Sequence, residues 1–300
     1  MYIQRLSGST VSFWKFLIIP IGFALLLLYN FWTTLNSPID PAIAMQQLID
    51  SLGATTTLAI LLSPLALGFW LVLLYGRLVL RMPVLYQFTG RYQFDWSRVG
   101  FSFLVWSLVI VLSVGLEYLV QPGNFSVQFN WTKFWPFLLV AVTMIPMQIA
   151  FEELLFRGHL TQSIAHKTKS RALALLIPSL LFGLMHIGNP EVSKLGYGLL
   201  VYYIGSGLFF GVMTLVDDGM ELALGTHAAN NLVGAILVSA DWTAFNVPSL
   251  LRDVSEPSFG FDALVPLLLI YPLVLFVFSK RYGWNNILHK TLGSTDSDVL

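Results

Sequence analysis

The chain contains no cysteine in 300 residues. Disulfides, thiolate catalysis and cysteine-based zinc sites are therefore excluded. Charge is scarce: Asp, Glu, Lys and Arg make up 11% of residues, against about 25% in a soluble globular protein. The charges balance, 16 basic against 16 acidic, so no bulk field draws the chain to nucleic acid. The helical H-E-x-x-H pattern, which puts two histidines on one face for zinc, is missing. No internal repeat and no low-complexity tract is evident. The first apolar run lacks an A-x-A-like end and is long enough to span, so it reads as a membrane helix rather than a cleavable signal.

What the chain has in abundance is apolar sequence, 56% hydrophobic residues with a mean hydropathy of +0.74. It reads as an all-α polytopic membrane protein forming one domain over 1–300. About eight transmembrane helices are expected in one bundle. They fall near 13–35, 55–80, 99–120, 134–166, 172–187, 195–216, 220–240 and 264–278. A short interfacial helix is expected at 41–52, and a flexible tail over 283–300. Gly207 and Gly211 form a GxxxG pair suited to close helix packing. Lys and Arg concentrate in alternate loops, which puts both termini in the cytoplasm, with a bacterial inner membrane as the expected location. One loop departs from the rule: Asp217-Asp218-Gly219 carries acids and no base.

The chemistry centres on Glu152-Glu153-Leu154-Leu155-Phe156-Arg157, within an apolar helical run. A carboxylate at membrane depth costs roughly 3 kcal/mol on insertion scales, so it is kept when paired, wet or working. Glu153 and Arg157 are four apart and can pair on one face. Glu152 points about 100° away and has no such partner on its own helix. It suits a general base for water, or a metal ligand. Alternatively, both glutamates and Arg157 form one structural ion cluster. Two later segments supply partners, Phe182-Gly183-Leu184-Met185-His186 and His227-Ala228-Ala229-Asn230-Asn231. His227 and Asn231 share a helix face and can both donate to one oxyanion. Singly, each imidazole can equally be a packing residue.

Counting at 1.5 Å per residue, Glu152 lies ~22 Å from Lys167 and His186 ~22 Å from Arg171. The two can therefore share a level on antiparallel helices. His227 is only ~12 Å from Gly219, so the acidic turn must be sunk into the protein, or its helix must start deeper, for His227 to join them.

The three motifs, EExxxR at Glu152–Arg157, FxxxH at Phe182–His186 and HxxxN at His227–Asn231, occur in the order found in the CAAX-protease and bacteriocin-processing (CPBP, or Abi) family of intramembrane endopeptidases. The chain resembles that family over about 131–240. The resemblance implies an active site between helices 4, 5 and 7. Glu152 would activate water and His186 would help hold it. His227 and Asn231 would stabilise the oxyanion, with Glu153, Arg157 and Phe182 in support. It also implies membrane lipid as surroundings and a peptide or membrane-anchored protein as substrate. No cofactor is expected; the alternative is Zn2+ held by Glu152, His186 and His227. Two rival functions fit the same residues: a non-catalytic membrane binding or immunity protein of the same fold, and a proton-coupled transporter using the acids and imidazoles as a relay.

Overall fold

The computed structural model describes residues 2–5 and 11–295. Its helices are α1 Phe13–Leu35, α2 Pro41–Leu52, α3 Ala54–Leu78, α4 Val84–Phe88, α5 Trp96–Val120, α6 Trp131–Glu153, α7 Thr161–Thr168, α8 Arg171–Leu184, α9 Pro190–Leu195, α10 Leu199–Val216, α11 Glu221–Ala228, α12 Gly234–Leu237, α13 Tyr271–Tyr282 and α14 Ile287–Leu292. Side-chain oxygens of Asp40, Asp95, Asn130 and Ser170 accept from the first free backbone amides of α2, α5, α6 and α8, which fixes where those helices begin.

Among the described residues five helices are long and apolar enough to cross a membrane: Phe13–Leu35, Ala54–Leu78, Trp96–Val120, Trp131–Thr168 and Leu199–Val216. The other three segments expected to span are shorter helical runs. α8 is apolar but ends at Leu184, where 3-10-type bonds from His186 and Ile187 close the chain into turns ahead of Pro190. The segment expected at 220–240 is divided by a π turn at Ala229–Val233, and the last begins with a π turn at Pro266–Ile270. A small sheet adds to the helical architecture. Strand β1 (Phe125–Val127) pairs antiparallel with β3 (Leu251–Asp253), which pairs parallel with β2 (Val238–Ser239).

The segment expected as a tail from 283 carries α14. Lys290 donates from Nζ to the Val216 carbonyl at 3.0 Å, and the Arg171 backbone amide bonds the Gly293 carbonyl. The helix-forming run 287–292 has a surface to dock on, which its polar flanks conceal; residues 296–300 lie outside the described residues. Gln4 reaches the Thr295 carbonyl, which ties the first short helical turn to the segment after α14.

The main helix pairings are α8 with α10, α3 with α6, and α5 with α11. At the first of these a Cβ on Gly207 would lie 2.7 Å from the Ser179 carbonyl oxygen, and one on Gly211 2.5 Å from Leu175. Only glycine permits that approach, as the GxxxG spacing implies.

The acidic α10–α11 turn finds its bases in the α4–α5 connection and the first turn of α5. Arg91 bridges Asp217 and Glu221 at 2.9 Å each, and Arg98 reaches Asp217 at 2.6 Å and Asp95 at 3.0 Å. The Trp284 indole also donates to Asp217 at 2.8 Å. The backbone of 88–90 bonds Asp218 and Met220, so the α4–α5 connection covers the turn and Glu221 is fully buried. Burial pushes the Asp217 carboxyl above its ordinary range despite these cations and the indole. Removing Arg91 leaves the buried Glu221 without its cation and Asp217 with Arg98 and Trp284 alone. Arg91→Met is expected to lower stability by about 3 kcal/mol, seen as a drop in melting temperature, while Arg77→Met, on an exposed helix face, changes it little.

Candidate active site

α6 delivers Glu152 and Glu153 in its last α-helical turn and then widens into a π turn, Leu154–Leu160, before α7. α11 delivers His227, and the π turn that follows it holds Asn231. Both Glu152 and Glu153 are buried, 4% and 0% exposed, as are Arg157 and His227. Such interior π turns recur at functional sites because they re-aim side chains without ending the helix.

The two carboxylates have different surroundings. Glu153 Oε1 pairs with Arg157 at 3.2 Å and lies 2.9 Å from His227 Nδ1. Arg157 also donates to the Gly207 carbonyl at 3.0 Å, with its guanidinium 4.3 Å from the centre of the Phe182 ring. Glu152 Oε1 accepts from Gln148 at 2.5 Å, whereas its buried Oε2 has no hydrogen-bond partner and lies 3.6 Å from His227 Nε2. A carboxylate accepts only, so the neutral His227 ring carries its proton on Nδ1, toward Glu153, and turns Nε2 toward Glu152. The His227 ring stacks on Phe210 at 4.7 Å.

Asn231 donates to Gln148 Oε1 at 3.2 Å, and its amide nitrogen is 3.5 Å from His227 Nε2. The amides form a directional chain. Trp106 donates to Asn230, Asn230 to Asn231, Asn231 to Gln148 and Gln148 to Glu152. Each donor in such a series polarises the next. Gln148 had a signal in the sequence: it is a buried amide one helical turn before Glu152 on the same face.

His186 lies just past the end of α8. Its Nδ1 bonds the Phe182 carbonyl at 2.8 Å, and its ring packs on Phe182 and flat against Tyr203. Phe182 also meets His227 edge-on at 5.8 Å, so one aromatic ring stands next to both imidazoles and the guanidinium. Glu152, Glu153, Arg157, His227 and Asn231 thus form one bonded network with Gln148, and His186 adjoins it through Phe182.

Among the described residues no three His, Asp or Glu side chains are placed to hold a metal ion. Glu152, His186 and His227 are not grouped as a ligand set, although the bonds at each Nδ1 leave Nε2 as the nitrogen that could coordinate.

Residues 131–233 match the family described as Rce1-like, type II CAAX prenyl endopeptidase. This segment is similar to the Rce1-like CAAX-protease domain. That family is one of proteases, and the apolar helices make the chain an integral membrane protein. Over 185 residues it is 30% identical to the uncharacterized protein YyaK of Bacillus subtilis (strain 168), covering 61% of each chain. The chain therefore spans less than two thirds of that relative's length. No solved structure matches the chain.

The unequal surroundings of the two glutamates give opposite expectations. Glu153→Gln leaves Arg157 buried without its counter-charge and is expected to cost about 3 kcal/mol or more. Glu152→Gln keeps the bond to Gln148 and removes a poorly solvated charge, so the melting temperature stays level or rises. Thermal unfolding of the two variants in one detergent checks both.

Proposed function

We propose that the chain is an intramembrane endopeptidase that hydrolyses a peptide bond near the membrane with water activated by Glu152. The observation carrying this reading is the bare, buried Oε2 of Glu152 beside His227 Nε2. A water molecule within hydrogen-bond reach of both atoms is compatible with their 3.6 Å separation. Glu153 also leaves its Oε2 bare, but its Oε1 is held by Arg157 and His227, whereas Glu152 is bonded only by the neutral Gln148 amide.

In the reaction, Glu152 takes a proton from water as the oxygen attacks the scissile carbonyl carbon. His186, whose Nε2 is left as an acceptor by the bond from Nδ1 to Phe182, helps to hold that water. The carbonyl oxygen becomes an oxyanion. The neutral His227 ring cannot donate from Nε2; when it takes up a second proton from solvent, balanced by Glu153, Nε2–H donates to the oxyanion, and Asn231 donates from its amide. Collapse breaks the C–N bond, and Glu152 passes its proton to the leaving amine. Arg157 and Phe182 hold Glu153 and the two imidazoles in register. The reading is metal-free. It takes a peptide or membrane-anchored protein as substrate, places both termini in the cytoplasm, and locates the chain in a bacterial inner membrane.

The test uses purified protein in lipid nanodiscs and an internally quenched CAAX peptide, with and without a farnesyl group. The wild type is expected to cut the peptide. Glu152→Gln, His186→Ala and His227→Ala are each expected to lower kcat/KM by about 10²- to 10⁴-fold while remaining folded. Unchanged cleavage by Glu152→Gln would refute the role of that residue. Chelators are expected to have no effect, and loss of activity restored by zinc would overturn the metal-free reading. Proton flux in proteoliposomes without cleavage would favour a transporter.

A further inference from the structure

His186 lies where the fold provides least support. α8 has ended at Leu184, and residues 185–188 are turns. The Nδ1 bond to Phe182 links the imidazole to its own segment. It does not tie the ring to the rest of the bundle.

That tie comes from Tyr203 on α10, whose ring stacks on His186 with centres 4.1 Å apart and planes 10° from parallel. The Tyr203 hydroxyl donates to Glu191 Oε1 at 2.6 Å, a charge-assisted bond to the carboxylate. Asn189 donates to the same oxygen at 2.9 Å, and the Ala244 backbone amide donates to Oε2 at 3.0 Å. Glu191 is five residues from His186, so the stack, the hydroxyl bond and the intervening chain close a ring. The bond to Ala244 fastens that ring to the segment following β2. Glu191 therefore joins three separate parts of the chain, and its nearest consequence is the orientation of one imidazole.

We infer that Glu191, acting through Tyr203, is the positioning residue that holds His186 in the plane that keeps its Nδ1 bonded to Phe182, and through that bond in the tautomer its role requires. This rests on the proteolytic reading above. Neither residue needs to touch the substrate, so neither is catalytic. Catalytic groups must be held within roughly 0.5 Å and 10–20° of their working geometry, and a misplacement of about 1 Å can cost a hundredfold in rate.

The experiment uses the full chain in nanodiscs with ¹⁵N-labelled histidine, the His186 signals being assigned by their loss in His186→Ala. In the wild type, His186 is expected to show the shifts of the Nδ1–H tautomer. Tyr203→Phe keeps the stacked ring and cuts only the bond to Glu191, which makes it the milder variant; Glu191→Ala removes the whole anchor. Both are expected to move the His186 signals toward averaged tautomers. Both should also lower kcat on the quenched CAAX peptide about ten- to a hundredfold, with KM changed less than about twofold. The double variant should lose no more than the worse single one, because the two residues act in series.

Unchanged His186 signals in folded Tyr203→Phe and Glu191→Ala would overturn the inference, as would rate losses that multiply in the double variant. The spectra need no cleavage. A protein that cuts nothing, while His186 still responds to both substitutions, would sink the proteolytic reading and sustain the clamp. Cleavage abolished by Glu152→Gln, with His186 indifferent to both substitutions, would do the reverse.

Discussion

A carboxylate without water around it must take its donors from the protein. Glu153 takes one from Arg157 on its own helix and one from His227 across the bundle. That single oxygen joins α6 and α11, and the remaining geometry depends on it. It fixes the neutral His227 proton on Nδ1 and so directs Nε2 at Glu152. It holds the guanidinium that also grips the Gly207 carbonyl, where α10 passes close to α8. Replacing the cluster with packed apolar side chains would often be as stable. What the ions provide is direction, since each has few acceptable neighbours while an apolar contact has many.

The elements carrying chemistry share a backbone feature. α6 leaves α geometry immediately after Glu153, α8 stops two residues before His186, and α11 widens into a π turn that contains Asn231. A regular helix spaces side chains every 100°, which suits packing against one partner. Converging three helices on one small volume requires departures from that spacing. Close contact at Gly207 supplies the rest, because a Cβ there would meet the Ser179 backbone of α8.

Much of this was legible from the sequence. The ordered motifs locate Glu152, Glu153, Arg157, Phe182, His186, His227 and Asn231, and the i,i+4 rule gives the Glu153–Arg157 pair. The membrane class follows from composition alone. Hydropathy could not distinguish a spanning helix from an apolar helix cut short by turns, so the shorter runs of α8, α11–α12 and α13 were hidden. The second partner of Glu153 was hidden too, because a contact between residues 74 apart in sequence has no periodicity. Glu191 and Tyr203 were likewise invisible: a Glu near a loop and a Tyr in a span are ordinary until the fold sets one against the other.

The acidic turn shows how a sequence anomaly resolves into mechanics. Read loop by loop, Asp217 and Asp218 lack the cations expected there, and His227 starts too near that turn to reach the level of Glu152. The turn is in fact covered by the α4–α5 connection, with Arg91 supplied from it and Arg98 from the first turn of α5. α11 is then held by charge at both ends of its short regular stretch, Glu221 to Arg91 at its start and His227 to Glu153 in its last turn. Six residues of helix span about 9 Å. With both ends of that stretch fixed, His227 can neither slide along the helix axis nor turn about it without breaking a buried pair. Its position beside Glu152 therefore depends on the acidic turn as much as on Glu153 and Arg157 themselves.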